Sequence, residues 1–173
     1  MNTPDADTRR IGRRLGLLAT LAFLALGWVS FDGALERRED PNRNLVVAPG
    51  ASELVLQRNR AGHYLLPGEI NGRPVRLLLD TGATQVSVPA RLAAELGLQA
   101  GAPASVLTAN GAVVVRQTRI PRLAFGPFEF SDVAGHLNPG MQGDEVLLGM
   151  SALRHLEFTQ RGDTLTLRAP GSG

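Results

Sequence analysis

Cysteine is absent from the 173-residue chain. That removes disulfide frameworks, thiolate zinc sites, iron–sulfur clusters and every mechanism built on a cysteine nucleophile. Lysine is absent too: all 18 basic residues are arginine, so the chain offers neither a Schiff base nor a phosphate-loop lysine. Histidine occurs only as His63, His136 and His155, at no metal-ligand spacing and in no HExxH motif, so no metal is expected and no cofactor is implied. Ser87 and Ser151 lack the Gly-x-Ser-x-Gly setting of a hydrolase serine. No internal repeat is present. Excess charge of one sign is also missing from most of the chain: Arg9, Arg10, Arg13 and Arg14 against Asp5 and Asp7 account for the net +2, while residues 32–173 hold 14 Arg and 14 acids. There is no basic face, and nucleic acid is not an expected partner.

Hydrophobic content of 43% is enough to build the core of one domain of ordinary size. The one long apolar run is Leu15–Phe31, 17 residues without a charge, preceded by the four arginines. As a helix it spans roughly 25 Å, short for a bilayer core of about 30 Å but sufficient if Arg13 and Arg14 snorkel and Trp28 sits at the far interface. The expectation is a cytoplasmic basic segment (1–14), a single transmembrane anchor (15–31) in the inner membrane, and the rest of the chain exported to the periplasm or outside the cell. A cleaved signal peptide competes with this, because Ala25-Leu26-Gly27 has small residues at −3 and −1.

Residues 32–50, rich in charge, Asn and Pro, read as a linker, and the domain proper is expected over 51–170. Short leucine-rich or β-branched runs separated by turn dipeptides predict an all-β fold. The expected strands are 53–57, 63–70, 73–79, 85–88, 104–108, 113–120, 129–134 and 145–148, and the LEFTQ-RGD-TLTLR hairpin closes the domain. Asn71-Gly72 and Ala109-Asn110-Gly111 are the hairpin turns. One short helix is expected over 89–97, another over 150–155, and 135–144 reads as a loop.

The segment that carries chemistry is Leu77-Leu-Leu-Asp80-Thr81-Gly82-Ala83-Thr84. A carboxylate at the end of an apolar strand is costly unless it has partners or a task. Taken alone, Asp80 could simply bond its own turn, as Asp does in many strand-ending turns. Around it stand a hairpin before the Asp, a strand and helix after it, a glycine-tipped hairpin in mid-chain and a late apolar-apolar-Gly strand running into a helix.

With GHYLLPGEINGRPVRLLLDTGAT (62–84), Gln85-Val-Ser-Val-Pro89, Thr108-Ala-Asn-Gly111 and Val146-Leu-Leu-Gly-Met-Ser-Ala-Leu153, the chain resembles the retropepsin-like aspartic proteases over residues 51–168. It is most similar in layout to their membrane-anchored, single-domain bacterial members. The resemblance implies a closed β-barrel with a flap hairpin, and an endopeptidase activity in which two carboxylates about 3 Å apart share one proton and activate water. This chain has one such Asp, since Asp132, Asp144 and Asp163 are not followed by Thr/Ser-Gly. A homodimer with Asp80 from each protomer is therefore implied. Thr81, Gly82 and Ala83 would support the site, Thr108, Ala109, Asn110 and Gly111 would form the flap over bound substrate, and the partner would be a peptide or protein. The alternative is a periplasmic module of the same fold that binds a peptide or partner without turnover.

Overall fold

The computed structural model describes Thr20, Phe23, Leu24, residues 39–108 and residues 111–171. The expected anchor at 15–31 lies outside the described residues except for Thr20, Phe23 and Leu24, which are helical. Among the described residues no helix is long and apolar enough to cross a membrane.

Leucine-rich and β-branched runs form ten strands among the described residues: β1 (Glu53–Gln57), β2 (Leu65–Ile70), β3 (Arg73–Leu79), β4 (Val86–Pro89), β5 (Pro103–Thr108), β6 (Gly111–Phe125), β7 (Phe128–Asn138), β8 (Glu145–Leu148), β9 (Glu157–Arg161) and β10 (Thr164–Arg168). A 3-10 turn (Ala90–Leu92) follows β4, and a short helix α1 (Met150–Leu153) follows β8. The larger sheet runs β2-β3-β8-β4-β7-β6-β5, and a further β2–β6 pairing closes six of these strands into a barrel with β5 outside the ring. Closure removes two free sheet edges. A second, three-stranded sheet has the order β1-β10-β9.

Two-residue periodicity sets the core. Leu54 and Leu56 of β1, Leu165 and Leu167 of β10, and Leu66 and Ile70 of β2 all face one buried cluster, while their neighbours face out. All four residues of β4 are buried, as befits a strand flanked on both sides within the barrel. Where β2 meets β6, Arg122 donates to Glu69 (3.0 Å) and Glu129 (2.8 Å), tying β2, β6 and β7 together. Hydrogen bonding to Arg122 holds the Glu129 carboxyl below its ordinary range.

Turn chemistry follows the sequence. Asn71 and Gly72 both have positive φ (51° and 76°), as a two-residue hairpin turn demands. Asn71 also reaches outward, donating from Nδ2 to the Leu96 carbonyl and accepting from the Arg122 amide, so one turn residue fastens the β2–β3 hairpin to its surroundings.

The structure departs from expectation in three places. β6 and β7 are longer than 113–120 and 129–134, and β7 absorbs 135–138 of the expected loop. Pro121, which has no amide to donate, sits inside β6 where the ladder with β7 skips one pair, opposite Asp132 with φ of 53°. His136 thus lies in a strand, and its burial pushes its pKa down. The expected helix at 89–97 reduces to the 3-10 turn and further turns ending at Gly97, with φ of 65°.

The third departure concerns 32–50, which does not behave as a tether over its second half. Asn42 is 3% exposed; its Nδ2 donates to the carbonyls of Gln57 (2.8 Å) and Leu65 (2.7 Å), and its Oδ1 accepts from the Gln57 amide (2.8 Å). Buried Asp40 pairs with Arg76 of β3 at 2.6 Å, and Leu45 and Val47 pack against the core. Polar composition suggested solvent, but Asn42 satisfies backbone at the seam between β1 and β2, and Asp40 is paired with an arginine side chain. Asn42→Ala should lower unfolding stability by about 2 kcal/mol, because it leaves part-buried backbone groups without partners. An unchanged urea midpoint would show that this strap contributes nothing to the domain.

Candidate active site

Asp80 is the first residue past β3, and β3 lies parallel to β8 with Leu79 opposite Leu148. Two chain crossings therefore sit side by side at the strand ends, 80–85 after β3 and Gly149 after β8. They are locked by backbone hydrogen bonds: the Asp80 amide donates to the Leu148 carbonyl (3.1 Å), the Met150 amide to the Ala83 carbonyl (2.8 Å), and the Ala83 amide to the Asp80 carbonyl (3.2 Å). The Gly82 amide donates to Asp80 Oδ1 at 2.9 Å, which fixes the orientation of the carboxylate. A Cβ at residue 82 would come within 3.2 Å of that same oxygen.

Ser151 completes the lock. Its hydroxyl donates to the Ala134 carbonyl (2.7 Å) and accepts from the Val86 amide (3.0 Å), joining α1 to the starts and flanks of β4 and β7. Sequence reasoning set this serine aside because it has no nucleophile setting, and no local motif marks a role made of two backbone contacts 17 and 65 residues away.

Asp80 and Thr81 line a pocket of about 270 Å³ together with Tyr64, Leu79, Phe158, Gln160 and Leu165. Asp80 is half-buried and Thr81 exposed. Among the described residues Asp80 is the only carboxylate on this pocket; Asp132, Asp144 and Asp163 lie elsewhere, each beside an arginine (Arg119, Arg91 and Arg58) and well exposed. Tyr64, Phe158 and Gln160 were not among the candidate residues, because only the fold brings β9 and the approach to β2 up to the end of β3. Thr108 and Gly111 pair with each other at the end of the β5–β6 hairpin, and Thr108 Oγ1 donates to the Gly111 carbonyl at 2.8 Å. They do not line the pocket at Asp80, and Ala109 and Asn110 lie outside the described residues. Among the described residues no group of His, Asp or Glu could hold a metal ion.

The chain presents Asp-Thr-Gly at the end of one barrel strand, locked against Leu-Leu-Gly at the end of its parallel neighbour, and it is similar to known proteins in sequence and fold. The family model for the gag-polyprotein putative aspartyl protease matches residues 66–155. The chain belongs to this family. The crystal structure of a retropepsin-like aspartic protease from Rickettsia conorii superimposes with a TM-score of 0.58 at 30% identity, covering 68% of this chain and 90% of that one. The retropepsin-like fold expected from the sequence is thus present. Among curated proteins, an uncharacterized protein from the cobV 5' region of Sinorhizobium sp. is 29% identical over 178 residues, covering 92% of this chain and 75% of its own length. An uncharacterized protein of Rickettsia prowazekii is 28% identical over 108 residues, covering 61% of this chain and 46% of its own length.

Proposed function

We propose that the protein is a homodimeric aspartic endopeptidase in which each protomer contributes Asp80 to one catalytic pair. The observation that carries this reading is one carboxylate, alone on its pocket among the described residues of a retropepsin-like barrel, on a loop held by four hydrogen bonds at its backbone and side chain. A single carboxylate cannot act as base and acid at the same moment, so the chemistry asks for a second copy.

In the pair, one Asp80 takes a proton from a water molecule as the water oxygen bonds to the peptide carbonyl carbon. The partner's Asp80, protonated, donates a hydrogen bond to the carbonyl oxygen as negative charge develops there. The tetrahedral intermediate collapses when a proton reaches the amide nitrogen and the C–N bond breaks, leaving a new carboxyl and a new amine. Thr81 steadies the two loops against each other, Gly82 holds the carboxylate and Ala83 anchors the loop to Met150. The β5–β6 hairpin, Thr108 to Gly111 at its end, closes over an extended peptide and excludes water. Residues 15–31 hold the enzyme at the inner membrane with its catalytic domain exported, and this tethering raises the effective concentration of protomers for pairing.

The test is digestion of a mixed library of unstructured peptides by the full-length protein in detergent, from acid to neutral pH. Cleavage at defined sites is expected. Folded dimers that cut nothing at any pH would sink the enzyme and favour a peptide-binding module.

A further inference from the structure

We infer that Tyr64 and Gln160 make the pocket beside Asp80 selective for a substrate side chain that ends in a primary carboxamide, glutamine above all. This rests on the endopeptidase reading above and names a substrate class for it. Tyr64 carries a hydroxyl without a partner. The residue is 8% exposed, and among the described residues its phenol oxygen is buried and meets neither a donor nor an acceptor. Buried polar groups are almost always hydrogen-bonded, so one that is not asks for an occupant that the folded chain does not supply. The backbone of Tyr64 does not explain the choice of residue. Its carbonyl accepts from the Leu79 amide at 3.0 Å, a contact that phenylalanine would make equally well.

Tyr64 is one wall of the pocket of about 270 Å³ that Asp80 also lines, and two kinds of surface meet there. Leu79, Phe158 and Leu165 supply apolar area suited to methylene groups, while Tyr64 and Gln160 supply polar groups that fix orientation. The phenol O–H is a donor. Gln160 donates from Nε2 to the Gly162 carbonyl at 3.2 Å, and with Nε2 held there its Oε1 is the free acceptor. One donor and one acceptor on one pocket match a carboxamide, whose oxygen accepts from Tyr64 and whose NH2 donates to Gln160 Oε1.

Other side chains fit less well, each for its own reason. An aliphatic one meets the apolar walls but leaves the Tyr64 hydroxyl buried and unpaired. A carboxylate is repelled by Asp80 on the same pocket, and a cation pairs with Asp80 itself and occupies the group that the reaction needs as its base. Glutamine brings two methylenes to the apolar walls where asparagine brings one. A site built to hydrogen-bond its substrate rejects an analogue that lacks the polar group far more strongly than an apolar pocket discriminates by size.

The test uses peptides built around one cleavage site of the library digestion, with Gln, Leu, Glu or Arg placed in turn at the positions flanking the scissile bond, and the full-length protein in detergent. At one position kcat/KM for the Gln peptide should exceed that for the Leu peptide by at least about tenfold. Tyr64→Phe should bring this ratio close to one through loss on the Gln peptide alone, with a urea midpoint equal or higher, because no hydrogen bond of the folded protein is lost. Gln160→Leu, at an exposed residue, should lower the same ratio without touching the core. A ratio near one in the wild type, or a ratio that neither variant changes, overturns the inference and leaves the protease standing. A wild type that cuts nothing removes the protease, and binding of the same labelled peptides to it then decides the pocket. Tighter binding of the Gln peptide that is lost in Tyr64→Phe keeps the carboxamide site, and equal binding of all four peptides removes it.

Discussion

Asp80→Asn should abolish peptide cleavage, by at least about four orders of magnitude, while the protein still folds and dimerises. Asparagine matches aspartate in shape, and its carbonyl oxygen can still accept the Gly82 amide that now bonds to Oδ1 at 2.9 Å, so the loop has no reason to move. What disappears is the base: an amide takes no proton from water. In a homodimer the substitution removes both members of the pair at once. A sharper form of the same test mixes wild-type and variant protomers. If the pair is shared between chains, a mixed dimer is as inactive as the pure variant, and activity falls with the square of the wild-type fraction. A linear fall would mean that one Asp80 suffices, and would exclude the two-chain mechanism. The measurement is the rate of cleavage of one peptide found in the library digestion, with dimer content checked on the same samples.

The site was legible because its parts lie close together in the chain. Asp80, Thr81 and Gly82 are consecutive, the strand before them is an uninterrupted leucine run, and the Asn71-Gly72 turn sets the hairpin that leads into it. The barrel was legible from turn dipeptides and alternation, which need only a few residues each. Features joined across long separations were hidden. Asn42 looks like linker until its partners, 15 and 23 residues away, are known. Pro121 argues for the end of a strand on local grounds, yet β6 continues through it, because a single skipped pair costs little when the residues on both sides are paired with β7. Ser151 has no signature at all, since its two contacts are backbone atoms that any sequence supplies. Physics that acts within a turn of chain reads out of the sequence, and physics that acts between strands waits for the fold.

Gly149→Ala should destabilise the protein by about 3 kcal/mol or more and should also cost activity, although residue 149 has no chemistry of its own. The dihedrals at Gly149, φ of −92° and ψ of −177°, are extended and open to any residue, so conformational freedom is not the reason for glycine here. Space is. A Cβ at this position would meet the Gln85 carbonyl oxygen at 2.3 Å, the Gln85 carbonyl carbon at 2.6 Å and the Ala83 carbonyl oxygen at 2.7 Å. All three atoms are backbone and cannot rotate away, so the two crossings must separate. Separation breaks the bond from the Met150 amide to Ala83 and strains the one from the Asp80 amide to Leu148, the two links that fix the Asp80 loop to the end of β8. Gly82→Ala is the useful contrast. Its Cβ would approach only a carboxylate oxygen, at 3.2 Å, and a side-chain atom can give way by a few tenths of an ångström. Gly82→Ala should therefore leave the urea midpoint nearly unchanged and reduce cleavage by disturbing the carboxylate, whereas Gly149→Ala should lower both. Equal midpoints for the two variants would mean that the crossing is looser than the close approach of Gly149 to residues 83 and 85 requires. The rigidity assigned to the Asp80 loop would then have to come from Ser151 and the Gly82 amide alone.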